Sequence, residues 1–189
     1  MARSKFNVVT HGLSGLVGDL LVFRQKANKT IVASRPRPSS KPVKAITLEN
    51  RARFKRASAY ASGVMGNAVL KAEYQLQAKI GQSAFNVAFT DYQKAPEFYE
   101  DVDLATYQGS VGDMLTVSVI DDFRVSAVMV AIISPDATTL EEGAAEQSDN
   151  GLDWIYTATA ENGEVPGSRI IFTASDLPGN ETVLEKLLM

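Results

Sequence analysis

After Pro96, short runs rich in β-branched residues alternate with clusters of turn residues. A turn every 8–12 residues or so is typical of a β-sandwich or barrel. The predicted strands are Asp101–Thr106, Met114–Ile120, Val125–Ser134, Trp154–Ala160, Arg169–Ala174 and Glu181–Leu188. Leu115, Val117 and Val119 occupy alternate positions, as do Trp154 and Tyr156, which places one face of each strand on the core. We therefore predict an antiparallel β-sandwich of about seven strands in residues 97–189.

Residues 46–96 carry helical spacing instead. Thr47 is a good N-cap residue at the start of a first helix. An apolar stripe on this helix consists of Phe54, Ala57, Ala61 and Val64. Gly63 and Gly66 interrupt the pattern, so we expect the helix to end near them.

A second helix is predicted to start at the N-cap residue Asn67 and to stop at Gly81. Its predicted buried face comprises Val69, Ala72, Leu76 and Ile80. Ser83–Lys94 favours a third helix, with a strand as the alternative, and Pro96 ends it in either case. The expected fold class is α+β, in which a helical hairpin precedes the sandwich.

Residues 1–45 form a predicted arm. Leu20–Gln25 and Thr30–Ser34 flank a polar turn containing Asn28, which predicts a β-hairpin. Three glycines spaced three residues apart, at positions 12, 15 and 18, favour tight bends or close backbone approach. The Pro-rich residues 35–42 are expected to be extended, as a linker or docking strand. Two strands alone are marginal in water, so the rest of the chain or a neighbouring subunit is expected to hold the arm.

Charge is distributed unevenly along the chain. Residues 1–60 contain thirteen Lys/Arg against two acidic residues, a net charge of +11, whereas residues 61–189 sum to −14. Asymmetry of this size indicates electrostatic function. The cations extend from the arm onto the first helix, on the side opposite its apolar stripe. The predicted partner-binding residues are Arg24, Lys26, Lys29, Arg35, Arg37, Lys41, Arg51, Arg53 and Arg56.

The sequence lacks a recognisable catalytic constellation. It contains no cysteine, which excludes disulfides and thiolate metal sites. The single histidine, His11, has Ser14 nearby but no nucleophile elbow. No apolar run has signal-peptide length or the roughly 20 residues needed to span a bilayer. We predict a non-enzymatic protein of cytoplasmic synthesis, with no cofactor, no metal, no small-molecule substrate and no membrane partner.

Acidic pairs are the remaining candidates for chemistry. The pairs are Asp121-Asp122, Glu141-Glu142 and Asp101/Asp103, and the loop SDNGLD adds Asp149, Asn150 and Asp153. Two carboxylates facing each other across a cleft support acid/base catalysis. These pairs lie at predicted strand ends or loops, where acids are usually solvated turn formers. The SDNGLD loop offers part of the six to eight oxygens that Ca²⁺ requires, and a polar hairpin turn is the alternative.

Two resemblances bear on architecture. The C-terminal residues 100–189 or so, with WIYTATA around Trp154 and the run IIFTASDLPGNETVLEKL, resemble immunoglobulin-like or fibronectin-type sandwich modules. The whole chain is similar to a family of bacterial proteins without an assigned activity, through GDLLVFRQ, RARFKRASAYAS, GQSAFNVAFTDYQKAPE and DDFRVSAVMVAI. An ordered arm beside such a module also loosely resembles accessory subunits of phage particles. These resemblances imply a fold and give no residue roles.

Two functions fit this pattern. In the first, the basic arm docks on the acidic domain of another copy or of another protein of the same assembly, such as a phage-like particle. In the second, the basic segment binds nucleic acid, with Phe23 or Phe54 as a stacking surface. The acidic half would be repelled by a polyanion, which favours a protein partner.

Overall fold

The computed structural model of this chain describes residues 2–4, 9–10, 12–26, 29–37, 42–99 and 102–189. Within these residues a four-stranded arm sheet is followed by three helices and by two further four-stranded sheets. All strand pairs are antiparallel. The predicted α+β class is therefore confirmed. The segment boundaries at residues 45 and 96 stay predictions.

The arm sheet contains β1 (Ala2–Ser4), β2 (Gly15–Val17), β3 (Leu21–Lys26) and β4 (Lys29–Ser34), in the order β1-β4-β3-β2. β3 and β4 confirm the predicted hairpin. β1 and β2 were not predicted, since three residues carry too little pattern. Tight bends are confirmed at Gly12 and Gly18, which lie in turns with φ angles of 79° and 53°, a conformation that glycine adopts without steric cost.

Some predicted features lie outside the described residues. They are His11, Asn28 in the hairpin turn, Lys41 with the neighbouring residues 38–40, and Asp101.

The helices are α1 (Ala45–Gly66), α2 (Ala68–Leu76) and α3 (Ala84–Asp91). The predicted start at Thr47 is wrong, because Lys44 occupies the N-cap position and Thr47 lies inside the first turn. Gly63 lies inside α1, but the helix ends at Gly66, so the predicted end near these two glycines is confirmed. The cap of α2 is confirmed, since the Asn67 side chain accepts hydrogen bonds from the backbone N–H groups of Val69 and Leu70.

The predicted buried face of α2 is wrong. Val69, Leu76 and Ile80 are exposed, and α2 ends at Leu76 rather than at Gly81. The buried residue of α2 is Tyr74, which packs with Ala61, Val64, Ala84 and Ala88 in a helical core. α3 confirms the third predicted helix.

The C-terminal strands are β5 (Glu97–Phe98), β6 (Met114–Ile120), β7 (Val125–Ile133), β8 (Thr139–Ala144), β9 (Glu146–Gln147), β10 (Asp153–Thr157), β11 (Arg169–Asp176) and β12 (Glu181–Leu187). They form one sheet of order β5-β6-β10-β9 and a second of order β12-β11-β7-β8. Side chains of both sheets share one core. It includes Leu115, Val117, Val119, Val128, Val130, Ile132, Trp154, Tyr156, Ile170 and Phe172. The predicted alternation of β6 and β10 is confirmed.

The strand order carries the immunoglobulin comparison. Lettering β5 to β12 in chain order as A, B, C, C′, D, E, F and G gives the sheets ABED and GFCC′. Immunoglobulin sandwiches divide their strands into ABED and CFG sheets in the same way. Trp154 lies on the E-position strand β10, whereas the buried tryptophan of immunoglobulin domains lies on strand C. The likeness therefore rests on strand order, not on the tryptophan.

One predicted strand was wrong, and three strands were missed. The described part of the predicted strand Asp101–Thr106 forms only an isolated bridge between Asp103 and Thr116. β5 and β9 were missed because they are two residues long. β8 was missed because it contains Glu141-Glu142, which the sequence places in a loop.

Candidate functional site

The arm sheet gathers three of the predicted partner-binding cations on one face. Lys26 lies directly opposite Lys29, and Arg24 lies opposite Ile31 two positions along β3. Residues directly opposite share a sheet face, and alternate residues of one strand do too. Arg24, Lys26 and Lys29 are exposed and form no ion pair within the described part of the chain. The result is a compact positive patch, the arm patch, at the hairpin end.

The other predicted cations do not join this patch within the described residues. Arg35 forms an ion pair with Asp19, which neutralises it. Arg37 is exposed in the segment after β4. On α1, Arg51 is exposed, whereas Arg53 and Arg56 line a cleft with Tyr92, Gln93 and Asn180. Arg53 donates to the Gln93 carbonyl at 3.3 Å, so the prediction that it lies opposite the packed side of α1 is wrong.

A second site lies where the helices meet the sandwich. Asp91 at the end of α3, Asp121 in the β6–β7 turn and Asp176 at the end of β11 each place a carboxylate oxygen within 4.8 Å of the other two. Asp91 and Asp176 are buried, with 1% and 3% exposure, and Asp121 is half-buried. We call these three residues the carboxylate cluster.

The turn structure around each Asp explains how the sequence places it there. Asp121 Oδ2 accepts from the N–H groups of Phe123 and Arg124, at 3.0 and 2.8 Å, which closes the β6–β7 turn. Asp176 Oδ1 accepts from the Asn180 N–H at 2.6 Å across the β11–β12 turn. Asp91 Oδ2 accepts from the Tyr74 hydroxyl at 2.5 Å. The buried oxygens Asp91 Oδ1 and Asp121 Oδ1 have no hydrogen-bond partner.

Electrostatics in the cluster favour a positive occupant. Burial raises the pKa of Asp91 to about 7 against the lowering effect of the Tyr74 bond, and the charges of Asp121 and Asp176 add to the rise. Burial also raises the pKa of Asp176, although the bonds from Asn180 oppose this. The ion pairs of the described residues include none of the three carboxylates; the nearby Lys94 pairs with Asp122 at 2.6 Å instead.

Partial signals for this cluster are present in the sequence. Asp121 belongs to the Asp121-Asp122 pair, and Asp176 belongs to the DLPGN turn. The interpretation of Asp121 as a solvated turn former is half correct: one oxygen caps the turn, and the other is buried. Asp91 inside a predicted helix had no signal of its own.

The other acidic candidates are engaged in local bonds. Asn150 Oδ1 accepts from the N–H groups of Leu152 and Asp153, and Asp153 accepts from Ser118 and from the Asn150 amide, both at 2.5 Å. These bonds form the polar turn that was the alternative to a Ca²⁺ loop. Glu141 accepts from Tyr156, Thr159 and Ala160, whereas Glu142 is exposed beside it.

No family model, curated protein or solved structure matches this chain. The sequence resemblances to a bacterial family and to phage accessory subunits therefore stay predictions. Among the described residues, no helix has the length and apolar character needed to cross a membrane.

Proposed function

We propose that this protein is a non-enzymatic interaction subunit of a multi-protein assembly, whose arm patch docks on an acidic surface of a neighbouring copy. The observation that carries this proposal is the pairing of Lys26 with Lys29. Like charges directly opposite each other destabilise a hairpin. Arg24 adds a third positive charge to the same face, and an anionic partner removes the repulsion.

The sandwich offers a matching surface. An open groove runs between β8 and the β9–β10 pair, and its lining includes Glu142, Glu146 and Tyr156. Glu142 and Glu146 are exposed, and they form no ion pair within the described residues. Strands β8 and β9 are also sheet edges, which can accept an added strand. Because the groove is negatively charged and is bordered by two edge strands, we expect the arm to bind there.

Such a contact joins two different surfaces and is therefore head-to-tail. Head-to-tail contacts generate rings when the rotation closes and filaments when it does not. The nature of the assembly, a phage-like particle included, stays a prediction.

Sedimentation velocity over a range of protein concentrations tests the proposal. We expect association at low salt that weakens near 1 M salt, where the Debye length falls to about 3 Å. The double variant Lys26→Glu/Lys29→Glu should abolish association, and the matched control Lys71→Glu/Lys79→Glu should retain it. Glu142→Lys/Glu146→Lys should also be monomeric. A mixture of this groove variant and the arm variant should associate, because the new glutamates of the arm can pair with the new lysines of the groove.

A strictly monomeric wild type at both salt concentrations would overturn self-assembly. If the arm variant associates as strongly as the wild type, the arm patch is not the contact surface.

Nucleic acid is a second candidate partner, favoured by Phe54. This side chain is 60% exposed on α1 among Arg51, Arg53 and Lys55, although its ring also contacts Phe89 edge-on at 4.8 Å. Phe23, the other predicted stacking residue, is buried and unsuited to stacking. A gel shift with single-stranded DNA or RNA should show salt-sensitive binding that Phe54→Ala weakens. The absence of any shift at low salt would eliminate this candidate.

A further inference from the structure

We propose that Asp91, Asp121 and Asp176 bind one Ca²⁺ ion, which ties the third helix to two turns of the sandwich. This inference is independent of the arm patch and of any assembly.

Two buried carboxylate oxygens in the cluster lack a hydrogen-bond partner. Asp91 is 1% exposed, yet its Oδ1 atom has no hydrogen-bond partner, and neither does the buried Asp121 Oδ1. A buried carboxylate oxygen without a partner is costly, and buried charges are normally paired or coordinate a metal. Two such atoms beside a third carboxylate indicate a cation between them.

The second support is geometry. Ca²⁺ holds oxygen ligands at 2.3–2.6 Å, so ligands on opposite sides of one ion are about 5 Å apart. The three carboxylate oxygens lie within 4.8 Å of one another, so one ion can contact them all. Asp91 Oδ2 accepts from Tyr74, Asp121 Oδ2 accepts from the Phe123 N–H, and both Asp176 oxygens accept from Asn180, so these bonds hold the three carboxylates before the ion arrives.

The third support is ligand chemistry. All three ligands are carboxylates, and hard cations such as Ca²⁺ and Mg²⁺ prefer oxygen, whereas Zn²⁺ usually takes His or Cys. Ca²⁺ accepts irregular geometry and completes its shell with water, whereas Mg²⁺ demands a near-ideal octahedron. Ligands from a helix end and two turns fit the less demanding ion.

Two surface pockets lie beside the cluster. One surface pocket is lined by Asp91 and a second by Asp121, and the Lys94–Asp122 ion pair borders both. Lys94 is held by Asp122 and does not form an ion pair with the adjacent cluster.

Calorimetric titration of the full-length, chelator-treated chain with CaCl₂ tests the site. We expect one Ca²⁺ per chain and a rise in Tm of about 5–10 °C when free Ca²⁺ is about 100 times its Kd. Asp121→Asn should weaken binding at least about 100-fold, since even the loss of an outer ligand partner costs about 10–100-fold. The control Glu142→Gln, an exposed carboxylate outside the cluster, should bind Ca²⁺ normally.

The metal-free variants separate a cation site from an ordinary structural role. With chelator present, Asp121→Asn should be at least as stable as the wild type, because it removes repulsion between carboxylates. An Asp that only closes a turn would instead lose stability in chelator. Asp176→Asn provides a second variant should Asp121→Asn fail to fold.

Three outcomes would overturn the proposal. They are no heat and no Tm shift with CaCl₂, equal Ca²⁺ affinity in Asp121→Asn and wild type, and tighter binding of MgCl₂ than of CaCl₂. The first would leave a shared proton as the means by which the carboxylates coexist. Sedimentation of the chelator-treated chain is read separately, so failure here does not affect the arm proposal.

Discussion

The carboxylate of Glu141 joins the two sheets of the sandwich. It lies on β8, and its Oε2 atom accepts from the Tyr156 hydroxyl at 2.9 Å, from the Thr159 N–H and hydroxyl at 2.7 Å, and from the Ala160 N–H at 3.2 Å. Tyr156 belongs to β10 in the opposite sheet. Burial raises the pKa of Glu141, but these bonds outweigh burial and the net shift is downward. The ionised carboxylate is therefore the stabilising form.

Glu141→Gln should lower the free energy of unfolding by about 1–3 kcal/mol at neutral pH, because it weakens several bonds to a charged acceptor. Since the folded-state pKa lies below the usual value of 4.5, the Glu141 contribution is complete above that value and is lost as the pH falls through the folded-state pKa. Urea unfolding at a series of pH values measures the difference between wild type and variant. It should be constant between about pH 6 and 8 and shrink in acid.

The neighbouring substitution Glu142→Gln is the control for this prediction. Its side chain is exposed, so stability should change by less than about 0.5 kcal/mol. An equal loss in both variants would contradict the role assigned to Glu141.

Among the helices, α2 shows where apolar pattern and packing diverge. Leu76 and Ile80 are 87% and 104% exposed, whereas Tyr74 is fully buried. The Tyr74 ring stacks on Phe123 with centroids 3.9 Å apart, and its hydroxyl bonds to Asp91 and to Tyr60. A residue that both stacks on the sandwich and pairs with a buried acid determines which side of α2 faces inward.

Tyr74→Phe should therefore lower the free energy of unfolding by about 1–3 kcal/mol, because it leaves Asp91 Oδ2 without a donor in a buried site. Leu76→Gln and Ile80→Gln should each change it by less than about 0.5 kcal/mol. Chemical denaturation of the three variants ranks them. A larger loss of unfolding free energy in the Leu76 variant than in the Tyr74 variant would show that the side of α2 predicted from sequence is the buried one.

Gly63 offers a helix-scale test of α1. It lies inside the helix with nothing within 4 Å of an added Cβ. Gly63→Ala should raise stability by up to about 1 kcal/mol, or a few degrees in Tm for a chain of this size. Gly109→Ala is the contrast, because its Cβ would lie 2.5 Å from the Asn162 carbonyl oxygen at a φ of +87°. Thermal unfolding should move in opposite directions for the two variants.

The long strands could be predicted because each carries its own pattern. β6 alternates Leu115, Val117 and Val119 with polar residues, and the hairpin has a turn between two β-branched runs. β8 could not, since Glu141 and Glu142 are poor strand formers and only pairing with β7 makes them extended. The carboxylate cluster could not either, because Asp91, Asp121 and Asp176 are far apart in sequence and meet only through the packing of helices on turns.

Within the part of the chain that the structure describes, a small set of side chains joins the helices to the sandwich, including the Lys94–Asp122 and Arg124–Glu73 ion pairs. Asn180 in the β11–β12 turn donates to the Tyr92 and Lys94 carbonyls at 3.3 and 3.0 Å and to Asp176 Oδ2 at 2.7 Å. Phe123 and Leu177 add apolar contacts with the helical core. This narrow junction makes the cooperativity of unfolding depend on a small number of side chains.

Asn180→Ala should uncouple the two regions, because it removes the two hydrogen bonds that join a sandwich turn to the residues after α3, at Tyr92 and Lys94. Trp154, the single tryptophan, reports on the sandwich core, and far-UV circular dichroism at helical wavelengths reports on α1 to α3. In the wild type we expect both signals to change at the same urea concentration, as in two-state unfolding. In Asn180→Ala the helical signal should be lost at a lower urea concentration than the Trp154 signal. The free energy of unfolding of the helical region should then lie about 1–3 kcal/mol below that of the sandwich. The control Asn150→Ala, in the β9–β10 turn, should shift both signals together. Coincident transitions in Asn180→Ala would contradict the prediction and would show that apolar packing alone couples the regions.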